Sequence, residues 1–479
     1  MNALAKRFAH RSLIACATAL CTACSTLPPY VRPTVDVPPR YAGAPANATG
    51  NWTQAAPADH IARGPWWMLF HDDTLDRLEA RIDVSNEPVQ EAVAQLQAAR
   101  AALDYQRAGY LPTIGADVDA SRTRLSQNVL GHSLAGRTVP DYGAGIVASW
   151  EPDLFGRVKD EVTGAAANAQ ASRADLESVR LAMTSELALD YFDLRALDVQ
   201  KALLDRTVTA YGAALRIVEQ QWHDGAIDES AVAQARTQLD STRTQDTDLD
   251  ERRARLLHAI ATLVGVPASS FALSPDTSPV TVPDVPAGVP SQLLERRPDI
   301  AAAERRVAAA NARIGSARAA WYPNLQLTAD AGLESTFFAP WLTAPSLFWS
   351  LGAQLGATLF DGGRRHALEQ TARADYDATV ADYRQTVLLA FQQVEDDLSS
   401  LHTLAGEAAT QGRATSAAQL SLSLTTNRYQ AGAVSYLDVV TAQTIALANE
   451  RTQDDIAARR VDATVRLIAA LGGGWRRRE

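Results

Sequence analysis

The chain states one pattern twice, and the duplication limits what it can fold into. In each half a helical run ends in an aromatic or Leu beside Pro. Two alternating polar/apolar stretches around a loop follow, then a Phe-plus-Gly turn and a very long helical run. The first half is marked by Tyr110-Leu111-Pro112, Leu154-Phe155-Gly156-Arg157, Trp222-His223-Asp224-Gly225 and Leu263-Val264-Gly265. The second is marked by Trp321-Tyr322-Pro323, Leu359-Phe360-Asp361-Gly362-Gly363-Arg364, Tyr429-Gln430-Ala431-Gly432 and Ala470-Leu471-Gly472. The offsets stay near two hundred residues, so one large unit is duplicated and a solenoid of short repeats is excluded.

The alternating stretches read as strands with one apolar and one polar face. In 113–121, Ile114, Ala116, Val118 and Ala120 alternate with Thr113, Gly115, Asp117, Asp119 and Ser121. In 324–334, Leu325, Leu327, Ala329, Ala331 and Leu333 alternate with Asn324, Gln326, Thr328, Asp330 and Glu334. The same pattern runs through 347–359 and, more weakly, 142–151. A period of two over such lengths suits a membrane strand between lipid and water, and for a single hairpin it equally suits a soluble sandwich.

The helices decide between the two. From Arg157 to Trp222, and from Arg364 to Tyr429, no Pro interrupts the chain. Each run predicts about 100 Å of helix at 1.5 Å per residue, far beyond the helices of compact domains. An apolar stripe runs Leu368, Ala372, Tyr376, Val380, Tyr383, Val387, Phe391, Val394, Leu398, Leu401. Its mean step of about 3.67 matches an eleven-residue period, so such helices pack side by side nearly straight, as a wide tube wall requires. Gly225 and Gly432 end the long helices, and new helices start at about Asp228 and Ser435, giving helical hairpins with tight tips. A further helix is expected from about Asp73 to Gly109, and the Ala-rich 301–320 suits close lateral contact.

Residues 1–23 read as an export signal, with Lys6, Arg7 and Arg11 ahead of an uncharged 12–23. All three cysteines, Cys16, Cys21 and Cys24, lie in or beside it, so the mature chain has no internal disulfide. Leu20-Cys21-Thr22-Ala23-Cys24 resembles a bacterial lipoprotein cleavage site with its Leu one position early, which makes Cys24 the residue to be lipidated. Ordinary signal cleavage leaving a spare Cys is the other reading. Ser25 follows Cys24 where an Asp would retain a lipoprotein in the inner membrane. Residues 24–64 form a Pro-rich tether. The first repeat then spans 65–280, with strands at about 112–126 and 140–154 and a long helix over 157–223. The second spans 281–475, with strands at about 323–337 and 346–360 and a long helix over 364–430.

Four membrane strands cannot close a barrel, since about eight is the smallest number seen. Open edges in lipid leave backbone groups unpaired at several kcal/mol each, so copies must pool their strands into one barrel. The fold class is therefore an α+β membrane protein, a duplicated helix–strand–strand–helix unit whose copies share a β-barrel continued by long helices.

In this order and spacing the motifs resemble those of TolC-like outer-membrane efflux proteins, in particular the NodT-type lipoprotein branch serving resistance-nodulation-division pumps. Tyr30-Val31-Arg32-Pro33 is similar to that branch's opening. Leu294-Glu295-Arg296-Arg297-Pro298-Asp299-Ile300 matches the start of its second repeat, and Phe360-Asp361-Gly362-Gly363 the close of its second hairpin. The resemblance covers nearly all of the mature chain. It implies a homotrimer in the bacterial outer membrane, with a twelve-stranded barrel and an α-helical periplasmic tunnel. It also implies a passive exit duct for small molecules such as drugs. The implied partners are a periplasmic adaptor (membrane fusion) protein, an inner-membrane resistance-nodulation-division transporter and outer-membrane lipid, with no cofactor. The tips at Gly225 and Gly432 would meet the adaptor. The family pinches its tunnel with acidic residues just after the second tip. Asp438 falls on the first such position, whereas Thr441 stands at the second. A helix-start acid favoured by the dipole is the competing reading of Asp438, as it is of Asp228 and Glu229.

Other functions find little support. A net charge of −10 without a basic helix face argues against nucleic acid. The run 131–136 approaches a nucleophile elbow, but it has a residue too many and sits between strands, so it reads as a hairpin loop. The eight His show no paired metal-ligand spacing, and no phosphate-binding Gly loop is present, so the protein is expected not to be an enzyme. The alternatives are a channel for one-step protein secretion and a non-channel periplasmic coiled-coil adaptor lipoprotein.

Overall fold

The computed structural model describes residues 29–38, 40–42, 64–128, 136–283, 285 and 296–473. The leader, Cys24, most of the Pro-rich segment, residues 131–135, Leu294-Glu295 and the terminal Arg476-Arg477-Arg478 run lie outside the described residues. Along the chain come α1 (Asp73–Ser85), α2 (Glu87–Ala108), β1 (Thr113–Arg124), β2 (Thr138–Trp150), α3 (Arg157–His223) and α4 (Glu229–Leu263). The second copy follows as α5 (Pro298–Ala319), β3 (Asn324–Ser335), β4 (Leu347–Gly356), α6 (Arg364–Gln430) and α7 (Tyr436–Ala470). The duplication is residue for residue in the helices: α3 and α6 have 67 residues each, α4 and α7 have 35, and α2 and α5 have 22.

Two local expectations change. The helix expected over 73–109 is broken at Asn86, whose extended backbone separates α1 from α2. Its buried side chain explains the break, because the amide nitrogen donates to the Leu263 carbonyl at 2.9 Å and the amide oxygen accepts from Val89 N at 3.1 Å. Pro88 then occupies the first turn of α2, where a missing N–H costs nothing. The strands also end earlier than expected, β2 at Trp150 and β4 at Gly356. Their partners begin just after Pro112 and Pro323, which have no N–H to extend the ladder.

The chain divides into two compact units. The first holds the sheet and the adjoining helix segments. Its four strands lie in the order β1-β2-β3-β4, all antiparallel. The small residues work as expected here: a Cβ on Gly164 would meet the Ala312 Cβ at 3.5 Å. In the N-terminal segment, the Tyr30 hydroxyl donates to Glu304, and Arg32 lies 5.9 Å from the centre of the Tyr383 ring. Of the apolar stripe on α6, Tyr383 is buried and Leu368 is half exposed.

The second unit is helical. Val387, Val394 and Leu398 of the stripe are buried in it. Arg195 of α3 donates to Asp72 at 2.7 Å and to the Ser278 carbonyl at 2.7 Å, while Asp72 caps α1 by accepting from Thr74 N and Leu75 N. Arg253 of α4 donates to Asp198 at 2.7 Å. The connection after α4 is thereby fastened to the long helix. Tyr41 is buried, and Ala42 N donates to Glu395 at 2.7 Å, so the end of the N-terminal segment is docked too. Among the described residues no helix is long and apolar enough to cross a membrane.

Candidate functional site

The strand register sorts side chains onto two faces. Directly paired residues share a face, so Val118 lies beside Ala144, Ala144 beside Leu333 and Leu333 beside Leu347. One face thereby joins Ile114, Ile146, Leu327, Trp349 and Leu351 into a continuous apolar surface, and most of these side chains are exposed in the single chain. Trp150 closes one end of it, its indole N–H donating to the Tyr110 carbonyl at 3.1 Å. Tyr142 closes the other, 5.4 Å from Phe338 and 5.9 Å from Trp341 between ring centres. The nine residues from Tyr142 to Trp150 are what a tilted membrane strand needs, with aromatic girdles at both ends.

The opposite face is polar and acidic. It holds Asp117, Asp119, Asp141, Asp330 and Glu334, and among the described strand residues no basic one. Gly143 opposite Asp119 leaves room for the carboxylate, since a Cβ there would come within 2.3 Å of it. Phe348 covers the gap that Gly145 and Gly332 leave on the same face. Asp117, Asp119, Asp330 and Glu334 are visible in the sequence as members of an alternation, but only the register shows that they share one surface with Asp141.

At the hairpin tips both turns have the same backbone chemistry. Gly225 N donates to Trp222 O and Ala226 N to Gln221 O, and Gly432 N and Ala433 N repeat the pair on Tyr429 O and Arg428 O. That pattern needs a left-handed residue, and both glycines supply it, with φ of 75° and 70°. Apolar contacts hold the tips together: Val218, Val232, Ala235, Tyr436 and Val439 form one cluster, and the Tyr429 hydroxyl donates to Gln221 at 2.7 Å.

The helix starts differ between the tips. Asp228 caps α4 directly, accepting from Ser230 N at 2.8 Å. At α7 the cap is Ser435, and Asp438 closes a capping box by accepting from Ser435 N at 2.9 Å and Ser435 Oγ at 2.7 Å. These bonds, the hydroxyl's first, hold the fully exposed Asp438 carboxyl below the usual carboxylate range. Thr441 donates back to the Leu437 carbonyl at 2.8 Å. In a single chain Asp438 is thus a helix-start residue, exposed beside the tip.

At the far end of each hairpin lies a second matched pair, which the sequence did not single out. Asn86 donates to the Leu263 carbonyl at the end of α4, and Arg297 donates to the Ala470 carbonyl at 3.1 Å at the end of α7. Arg297 is held by Asp299 at 2.6 Å, so it is a structural residue. The signal was available, since Leu263 and Ala470 are equivalent positions of the repeat, but an Asn and an Arg do not announce one task. Among the described residues no group of three or more His, Cys, Asp or Glu could hold a metal ion.

A model of the outer membrane efflux protein family matches residues 81–266 and 289–473. The chain is 30% identical over 457 residues to the solvent efflux pump outer membrane protein SrpC of Pseudomonas putida, covering 94% of this chain and 96% of that one. It is 30% identical over 468 residues to the cation efflux system protein CusC of Escherichia coli, covering 96% and 98%. Among solved structures, a membrane protein from Pseudomonas aeruginosa superposes with a TM-score of 0.86 at 29% identity, over 94% of this chain and 98% of that chain. CusC superposes at 0.83 and 28% identity, over 94% and 100%.

Proposed function

This chain belongs to the outer membrane efflux protein family, and from that premise we propose that three copies assemble into one continuous duct. The chain is the outer-membrane channel component of an efflux pump. The observation that carries the trimer is the sheet. It has four strands, one apolar face, and no partner for the outer edges of β1 and β4 among the described residues. Such edges are untenable in lipid unless another copy pairs with them. The exposed Leu388, Leu389, Leu420 and Leu424 of α6 argue the same way for the helices.

In the assembly the acidic face lines the bore and the helices stand in the periplasm. Substrate arrives from an inner-membrane transporter through a periplasmic adaptor docked at the tips around Gly225 and Gly432. No chemistry is performed on it. The relatives' names speak of solvents and cations, a spread that a passive duct permits. Cys24 carries the lipid that fastens the N-terminal segment to the membrane, and Cys24→Ala abolishes incorporation of labelled fatty acid. Asp438 gates the periplasmic end, where three copies bring three carboxylates towards one axis.

The test is conductance. Purified protein should have the native mass of three chains and form channels in a planar bilayer. Ile146→Arg, in the middle of the apolar face, should destabilise the barrel by about 2–4 kcal/mol, whereas Thr328→Arg on the acidic face is tolerated. A conducting monomer, or equal effects of the two substitutions, would end this reading.

A further inference from the structure

The four strands carry seven charged residues, and the register segregates them by sign. All five acids lie on the bore face. The two bases, Arg122 and Arg124, both lie on the apolar face. They occupy the last turn of the pleat on β1, paired with Pro140 and Thr138, just beyond the pair Ala120 and Tyr142. Tyr142 belongs to the ring cluster with Phe338 and Trp341, which marks the girdle at the hairpin-loop end. So the arginines stand outside the apolar band, on its lipid side, at the end away from the helices.

Arginine at that depth costs little, and its guanidinium lies at the level of the lipid headgroups. Among the described residues neither Arg122 nor Arg124 has an ion pair, and β1 is exposed along its whole length. A neighbouring copy does not supply the missing charge within its strand, because β4 and the 336–346 loop before it contain no Asp or Glu. The nearest strand acids, Asp141 and Glu334, point to the other face. Two guanidinium groups on alternate residues of one strand start about 7 Å apart, and each forks onto phosphate oxygens.

We propose that Arg122, Arg124 and the Tyr142–Phe338–Trp341 cluster form a binding site for a phosphorylated lipid headgroup of the outer leaflet. The rings pack on the upper acyl chains and the arginines clasp the phosphates. The site rests on the outer-membrane channel reading above. It would fix the depth of the barrel and order lipid around the seam where β1 meets the next copy.

The experiment uses the full trimer in phosphatidylcholine nanodiscs, titrated with bis-phosphorylated lipid A and followed by native mass spectrometry. Dephosphorylated lipid A and inorganic phosphate serve as competing probes. Bis-phosphorylated lipid A should bind at least about tenfold more tightly than the dephosphorylated form, as expected for charge-assisted bonds. Arg122→Gln with Arg124→Gln should remove that preference while single-channel conductance persists. Arg122→Lys with Arg124→Lys should retain part of it. Equal binding of the two lipids by the wild type overturns the proposal, and so does a preference that survives in a conducting Gln pair. Inorganic phosphate competing as well as the lipid would make this a plain anion site and overturn the lipid assignment. Failure of the wild type to form channels at all would instead overturn the channel reading. If the Gln pair does not assemble, the two lipids on the wild type and the Lys pair still decide the matter.

Discussion

Each helical hairpin has a tip and a closed end, and the two ends use glycine differently. Gly225 and Gly432 at the tips, and Gly265 and Gly472 at the closed ends, all adopt positive φ and make the same two backbone bonds. At the tips a side chain would enter open space. At the closed ends a Cβ would stand 2.1 Å from the Ser85 carbonyl oxygen or 2.9 Å from that of Arg296. The tips therefore need glycine for its backbone alone, and the closed ends need it twice, for backbone and for room. The difference separates a surface left open for a partner from a junction that must be tight.

Substituting the closed ends should be the most damaging change. Alanine in the left-handed region costs about 1–2 kcal/mol, and forcing apart a packed junction adds about 1–3 kcal/mol. Gly265→Ala should lose more stability than Gly472→Ala, as its contact is shorter. Thermal unfolding of the trimer in detergent measures both. If either is as mild as a tip substitution, the closed ends are not tight.

The closed ends differ from one another as well, because α1 packs at the first and has no counterpart among the described residues at the second. Glu79 on α1 is 2% exposed, and among the described residues neither carboxylate oxygen has a hydrogen-bond partner. Burial first, and the neighbouring Asp76 second, push its carboxyl well above the ordinary glutamate value. The folded protein thus keeps Glu79 protonated where the unfolded chain would release the proton. Stability from this group is present below the unfolded pKa and falls as pH rises through the folded one. Glu79→Gln should leave the melting temperature nearly unchanged at about pH 4 and raise it at about pH 8. A shift that is the same at both pH values would show that the carboxyl does not titrate this way.

At the tips, Gly225→Ala and Gly432→Ala should each cost only the left-handed penalty of about 1–2 kcal/mol. Bulkier changes there meet the same left-handed penalty and open space beyond it, so they should lower the trimer's melting temperature no more than alanine does while weakening cross-linking to the adaptor. Trimer loss with either substitution would mean that the tips also hold the copies together.

Much of this plan was legible because period and punctuation are local. Alternation marked the strands, uninterrupted helical runs marked α3 and α6, and glycines marked the turns. What was not legible depends on distant partners. The break at Asn86 is a contact with Leu263, nearly two hundred residues away, although Pro88 signalled a helix start. Arg297 read as part of a motif, and its work on the Ala470 carbonyl belongs to the tertiary structure. The strand acids were plain as residues, but their common face needed the register.

The smallest effect on stability should come with the most specific effect on function. The residue equivalent to Asp438 in the first repeat is Ala231, so of the two tips only the second carries an acid three residues into its helix. Asp228, on the first tip, is the cap itself. If three Asp438 carboxylates face one axis, they repel within a Debye length of about 8 Å and attract cations between them. The bonds from Ser435 lower the carboxyl's pKa and favour its charged form, whereas repulsion among the three copies works the other way. In a planar bilayer Asp438→Ala should reduce cation selectivity and block by divalent cations. The bore acids Asp117, Asp119, Asp141, Asp330 and Glu334 remain, so selectivity should fall without vanishing. Asp228→Ala should leave both properties unchanged. If the two substitutions act alike, or neither alters selectivity, the constriction lies elsewhere and Asp438 serves only to start α7.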